Sequence, residues 1–257
     1  MAIGAFAVAG LASAASAQVF TDGFDIYPLG PLEGNQNPSG AVWHGWGGIT
    51  TFISQVTSVQ ASSAPNSVAL PFGCDTVVDF DDMTGGNPMT GGGQWRMTVE
   101  VFVDSVFDGR TYYIVMNEYS DPGPFEWAIQ VALDATGPSL NVVCDCGTAG
   151  TLTTALPTDT WTQLQWDIDL DADWVDFSVA GTLLGGYEWS KGVFGGDAYA
   201  TLSVNAIDLY PEFPATTGEV YIDNLLIVDT SAGPPGTQYC PGSGVAPATP
   251  CPCANNN

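Results

Sequence analysis

Residues 95–103 read WRMTVEVFV, and in this stretch Trp95, Met97, Val99, Val101 and Val103 alternate with Arg96, Thr98 and Glu100. Successive side chains of a β-strand point to opposite faces, so this period of two puts one apolar row against one largely polar row. An amphipathic helix needs apolar residues at i, i+3, i+4 and i+7 instead. One face on a core and one in water is the signature of an antiparallel sheet.

The same alternation recurs downstream. Phe125, Trp127, Ile129, Val131 and Leu133 alternate with Glu126, Ala128, Gln130 and Ala132. Leu164, Trp166, Ile168 and Leu170 alternate with Gln163, Gln165, Asp167 and Asp169. Val175, Phe177 and Val179 alternate with Trp174, Asp176 and Ser178, and a last strand is predicted over 220–228. Turn chemistry separates these runs at Asp108-Gly109, Asp121-Pro122-Gly123, Thr136-Gly137-Pro138 and Gly185-Gly186. No helix-period stretch of useful length follows residue 17. Stacking two sheets face to face buries every apolar row at once. The expectation is an all-β fold, a two-sheet antiparallel β-sandwich over residues 18–229.

The ends differ from this body. Residues 1–17 (MAIGAFAVAGLASAASA) form an apolar run closing on Ala15-Ser16-Ala17, a small-x-small cleavage site. They read as a signal peptide, although the usual basic opening is missing, and the mature chain is expected to begin at Gln18 and be secreted. Residues 230–238 (TSAGPPGTQ) read as a linker. Residues 239–257, rich in Cys and Pro with no hydrophobic period, read as a truncated second module.

Charge narrows the partners. The chain of 257 residues carries a net charge of −25, and its only basic side chains are Arg96, Arg110 and Lys191. Such a surface repels nucleic acid and anionic lipid. No segment beyond the first 17 residues is long and apolar enough to insert in a bilayer.

Export makes the six cysteines candidates for disulfides. Cys74, Cys144 and Cys146 lie in the body, and Cys240, Cys251 and Cys253 near the end. Each group is odd in number, so a bridge joins the groups or a partner is missing. Within the body, Cys74 is expected to pair with Cys144 or Cys146. Cys144-Asp-Cys146 lacks the second spaced pair of a zinc site.

Catalytic signals are sparse. The sole histidine, His44, lies between Trp43 and Trp46, and no Gly-x-Ser-x-Gly elbow exists. Asp167, Asp169, Asp171 and Asp173 have even spacing but no nearby glutamate, and read as a hairpin turn with solvated aspartates. As an EF-hand this run fails, because the glycine is missing and Ala180 stands where a glutamate is required.

The aromatics divide by face. Trp95, Trp127 and Trp166 share faces with aliphatics and are expected in the core. Trp174 and Tyr113 have polar neighbours and are expected outside. With Arg96, Glu100, Asn117, Glu126, Gln130 and Gln165 they make a candidate ligand-binding surface, since sugar rings stack on exposed aromatics while amides and carboxylates bond their hydroxyls.

Four segments together resemble the concanavalin A-like lectin/glucanase superfamily, in its laminin-G and carbohydrate-binding branches. They are FTDGFDIYPLGPLEGNQNPSGAVWHGWGG (20–48), SSAPNSVAL (62–70), DTWTQLQWDIDLDADWVDFSVAGTLLG (159–185) and VYIDNLLI (220–227). The resemblance covers residues 20–229 and implies a jelly-roll sandwich that binds or displays rather than catalyses, with an extracellular glycan as partner. The glucanases of that fold carry a Glu-x-Asp-x-x-Glu strand, which is missing here, so a polysaccharide-degrading enzyme is the alternative; a structural coat or matrix component is the third reading. The resemblance also implies a structural calcium between the first and closing strands, with Asp223 and Asp25, or Asp22 in its place, as ligands.

Overall fold

The computed structural model describes residues 17–51, 53–191, 193 and 201–231. The expected signal peptide, save Ala17, and the cysteine-rich tail lie outside the described residues, as does the linker beyond Ser231.

Two antiparallel sheets make up the fold. The nine-stranded sheet runs from β14 (Thr182–Tyr187) through β13 (Trp174–Val179), β12 (Thr162–Asp169), β7 (Gln94–Val103) and β16 (Val220–Asp229). It continues through β5 (Ser67–Ala69) and β4 (Gln55–Thr57) to β2 (Gly30–Pro31), while β1 (Ala17–Asp22) also pairs with β16. The seven-stranded sheet runs from β11 (Thr151–Ala155) through β10 (Asn141–Asp145), β9 (Phe125–Asp134) and β8 (Arg110–Tyr119). It ends with β15 (Ala206–Phe213), β6 (Thr76–Asp79) and β3 (Trp43–Gly45). Among the described residues the only helical pieces are three-residue 3-10 turns.

The core lies between the sheets. Met97, Val99 and Val101 of β7 and Leu164, Trp166 and Ile168 of β12 face Val115 of β8, Val131 of β9 and Leu209 of β15, all fully or almost fully buried. Trp166 is sandwiched between Tyr113 and Phe177, with ring centroids 5.2 Å away on each side and planes inclined by 10° and 17°. Offset stacking of this kind adds to the area these rings bury.

Tyr113, expected outside, belongs to this stack. Its neighbours Tyr112 and Ile114 face outward, because the inward set of β8 is Thr111, Tyr113 and Val115, a phase that the run Tyr-Tyr-Ile-Val leaves ambiguous. Trp127, expected in the core, sits outside. Register shifts between Val115 and Glu118 put Met116 opposite Trp127 while Val115 stays opposite Ile129. Ala128 and Ile129 therefore both face the core, and Phe125 and Trp127 turn onto the outer face.

Cys74 pairs with neither Cys144 nor Cys146. It lies beside β6, whereas Cys144 is on β10, and β15, β8 and β9 stand between them. Four strand spacings of about 4.8 Å put them roughly 19 Å apart, far beyond disulfide reach. All three thiols are buried and free; Cys74 Sγ meets Ser54 Oγ at 3.4 Å, and Cys146 Sγ meets Cys144 Sγ at 4.0 Å.

Candidate functional site

The outer face of the seven-stranded sheet carries a row of side chains set by register. His44 of β3 stands opposite Val77 of β6, which stands opposite Asp208 of β15. Asp208 stands opposite Ile114 of β8, and Ile114 opposite Gln130 of β9. Directly opposed residues share a face, so all five point outward. One row along, Tyr210 opposes Tyr112; on the other side, Ala206 opposes Met116 and Met116 opposes Trp127. The alternation of β15 explains its share: Ile207 and Leu209 enter the core, and Asp208 and Tyr210 go out.

Trp46 comes from the 3-10 turn after β3. A Cβ on Gly45 would sit 1.7 Å from the Ile49 carbonyl oxygen, and Gly47 has φ of 61°. Only glycine permits so tight a fold-back. The turn is pinned where the Trp46 N–H donates to the Asp75 carbonyl at 3.0 Å. Its indole packs on Phe125 at 4.6 Å and edge-on to Tyr119 at 5.3 Å.

These residues enclose a cavity of about 380 Å³, lined by Trp46, Tyr112, Trp127 and Tyr210 with Ile114, Gln130, Asp75, Asp208 and Glu212. The Tyr112 and Tyr210 rings lie parallel within 8°, 6.4 Å apart. The Tyr112 hydroxyl donates to Glu212 Oε2 at 2.9 Å, and Arg110 pairs with both Asp134 (2.9 Å) and Glu212 (3.2 Å) at the far end.

Asp75 and Asp208 form the floor. Burial pushes the Asp208 carboxyl well above the usual carboxylate range, and the neighbouring Asp75 carboxyl adds to the shift. Burial raises Asp75 as well, while its hydrogen bond with Asp208 opposes the rise. Two neighbouring buried carboxyls cannot both ionise cheaply.

The residues expected to bind a ligand do not share one surface. Gln130 lines the cleft. Arg96, Glu100, Gln165 and Trp174 lie on the outer face of the other sheet, where they bond to side chains around them. Arg96 Nε meets Asp167 Oδ1 at 2.6 Å, Gln165 Nε2 donates to Asp167 Oδ2 at 2.7 Å, and Trp174 Nε1 to Asp176 Oδ1 at 2.9 Å. Gln163 Nε2 donates to Glu100 Oε1 at 3.4 Å. Asn117 and Glu126 are buried at the irregular end of β8 and β9. The run Asp167–Asp173 forms the β12–β13 hairpin, its carboxylates accepting from Ala172, Gly93 and Ser190 N–H groups.

The carboxylates expected to hold calcium at the closing strand are engaged by protein donors. Asp223 Oδ2 accepts the Ser62 and Ser63 N–H groups at 2.8 and 2.9 Å, and its Oδ1 accepts Asn224 N–H at 2.7 Å. Asp22 is filled by Tyr27 O–H, Trp43 Nε1–H and Phe24 N–H, and Asp25 Oδ1 accepts Asn66 N–H. These bonds take up part of the acceptor capacity that a cation wanting six to eight oxygens would draw on. Among the described residues no three His, Cys, Asp or Glu side chains gather as a metal site.

Fold and cleft together define an antiparallel β-sandwich with an aromatic-walled, acid-floored cavity on one outer sheet face. No known protein family and no curated protein matches the sequence. Solved structures similar to it include the binding domain of botulinum neurotoxin serotype D, 9% identical, covering 84% of this chain and 48% of that one, with a TM-score of 0.48. A cellulose-induced protein, Cip1, is 13% identical over 83% of this chain and 98% of its own, with a TM-score of 0.46. The carbohydrate-binding module CBM66 from Bacillus subtilis is 8% identical over 76% and 99%, with a TM-score of 0.41. The chain spans about half the length of the toxin domains it matches.

Proposed function

We propose that this chain is a non-catalytic carbohydrate-binding module of an exported protein, and that the glycan sits in the cleft of the seven-stranded sheet. The observation that carries this reading is the cleft's composition: four aromatic side chains around a floor of carboxyl and amide groups. Sugar rings offer apolar faces to such rings and equatorial hydroxyls to such oxygens and amides. The signal-peptide pattern of residues 1–17 supports export, and the charge of −25 disfavours nucleic acid as partner.

The test is a glycan array followed by isothermal titration calorimetry with two variants. Trp127→Ala removes a cleft wall and is expected to weaken binding by about tenfold or more. Trp174→Ala, on the other sheet, is expected to leave affinity unchanged. Loss of binding in the second variant but not the first would move the site to the nine-stranded sheet.

A hydrolase on the same fold is the second reading, because the cleft does contain a carboxyl pair. Its geometry disfavours hydrolysis. A retaining glycosidase holds its two carboxyls about 5 Å apart and an inverting one about 6.5–9.5 Å apart. Asp75 and Asp208 are near neighbours whose charges interact directly, closer coupled than two carboxyls set on either side of a glycosidic bond. Product release from polysaccharide substrates, abolished by Asp208→Asn, would establish the enzyme instead.

A further inference from the structure

Resting on the carbohydrate-binding reading, we infer that the cleft selects a sugar carrying a free ammonium group, an amino sugar, over neutral or acidic sugars. Three features of the cavity point the same way.

The first is charge. Asp75, Asp208 and Glu212 line the cavity, and no basic side chain does. Arg110, at the Glu212 end, is engaged by Asp134 and Glu212. A sugar carboxylate would meet three carboxyl groups with no cation to receive it. An ammonium would meet opposite charge on its own scale.

The second is unmet acceptor capacity. Asp75 Oδ1 and Asp208 Oδ1 are both buried, and apart from the two carboxyls themselves no protein group donates a hydrogen bond to either. Asp208 is only 4% exposed, yet its side chain lines the cavity. Buried polar atoms without partners are rare and costly in a folded chain. A hydroxyl brings one donor. An ammonium brings three, with charge, so one group serves both carboxyls and strengthens each bond.

The third is the walls. Tyr112 and Tyr210 lie parallel, and Trp46 and Trp127 complete the ring around the floor. The negative faces of aromatic rings attract a desolvated cation, and aromatic enclosures are a recurrent way of holding organic ammonium groups. Stacking and charge then act on the same ligand, since the ring stacks while its amine reaches the floor.

The test is isothermal titration calorimetry of the full chain with three trisaccharides at slightly acidic pH and low salt. They are a fully deacetylated glucosamine trimer, the N-acetylglucosamine trimer and cellotriose. The expected result is at least about tenfold tighter binding of the deacetylated trimer, with the preference lost in Asp208→Asn and in Asp75→Asn. Melting curves confirm that the variants fold, and the two substitutions check each other should one fail. Asp176→Asn on the opposite sheet is expected to keep the full preference. A preference surviving both cleft variants would be general attraction to an acidic protein and would overturn the inference. Equal affinity for the acetylated and deacetylated trimers would overturn it too, while leaving the carbohydrate-binding reading in place. No binding of any saccharide, on this panel or on the array, would reject both.

Discussion

Asp75 and Asp208 are neighbours at the floor of the cleft, and beyond their own pairing neither Oδ1 atom receives a hydrogen bond from the protein. A carboxyl whose pKa is higher in the fold than in the unfolded chain binds its proton more tightly when folded. Its stabilisation is full below the ordinary value of 3.8 and is lost as pH rises through the folded value. Asp208→Asn removes that loss and supplies Nδ2 as a donor to Asp75. The variant is expected to be more stable than wild type at pH 8, by on the order of 1–3 kcal/mol. The gain should shrink as pH falls toward 4. Asp79, pushed up to about 6 chiefly by burial, titrates in both proteins and largely cancels in the difference. Thermal melts of the two proteins from pH 4 to pH 8 decide this, and equal melting points at pH 8 would refute it. Such a gain would mark the pair as a site kept at a cost in stability.

Tyr113 belongs to the core, not to a binding face. Tyr113→Ala is expected to cost about 3–5 kcal/mol, the range for emptying a buried aromatic site. Tyr113→Phe keeps the stack against Trp166 and loses only a weak contact from the hydroxyl to Met97 Sδ at 3.4 Å. It should cost under about 1 kcal/mol. Urea denaturation of both variants, with glycan affinity measured alongside, separates the two roles. A loss of affinity in Tyr113→Phe at unchanged stability would return Tyr113 to the ligand.

Those residues show how far the sequence could be read. Period two in the runs beginning at 95, 125, 164 and 175 was legible, and each became a strand of the sandwich. Face assignment failed where phase is not local. In β9 the shifts beside Met116 turned Trp127 outward, and nothing in FEWAIQVALD marks a bulge. In β8 the run Tyr112 to Val115 is apolar on both parities, so only its partners decide which tyrosine is inside. Asp75 and Asp208 are 133 residues apart in sequence and meet only because β15 pairs with β6. A signal for the cleft existed in Asp208-x-Tyr210-x-Glu212, an acid–aromatic–acid alternation opposite Ile207 and Leu209.

Cysteine chemistry follows from the topology. Alkylation under denaturing, non-reducing conditions and peptide mapping should find Cys74 unbridged to Cys144 or Cys146. Burial pushes the Cys74 thiol up to about 12, which keeps it protonated and unreactive at neutral pH in the folded chain. In the native protein, Cys74 should therefore be labelled only as fast as the chain opens. A recovered Cys74–Cys144 peptide would require the sheet order to be wrong.

Asp223 lies where β16 changes partners. Tyr221 and Ile222 pair with β5, whereas residues 225–229 pair with β1, and between them Asn224 takes φ of 51°. The break leaves backbone N–H groups without ladder acceptors, and the Asp223 carboxylate collects three of them, from Ser62, Ser63 and Asn224. Asn224 Oδ1 adds a bond from Ser63 Oγ at 2.8 Å. One side chain thus fastens the loop before β5 to the closing strand. Asp223→Ala leaves these donors to water or to nothing. Ser62 is exposed and Ser63 half-buried, so hydration recovers part of the loss and the expected cost is about 2–4 kcal/mol. Asp223→Asn should also destabilise, because its Nδ2–H₂ would face N–H donors where a carboxylate oxygen accepts them. The reading makes a further demand: melting temperature should be the same with added calcium and with chelator, since the carboxylate is already occupied by donors. A calcium-dependent rise in the wild-type melting point, absent in Asp223→Ala, would show that the loop rearranges to admit a cation and would replace the backbone clamp with a metal site.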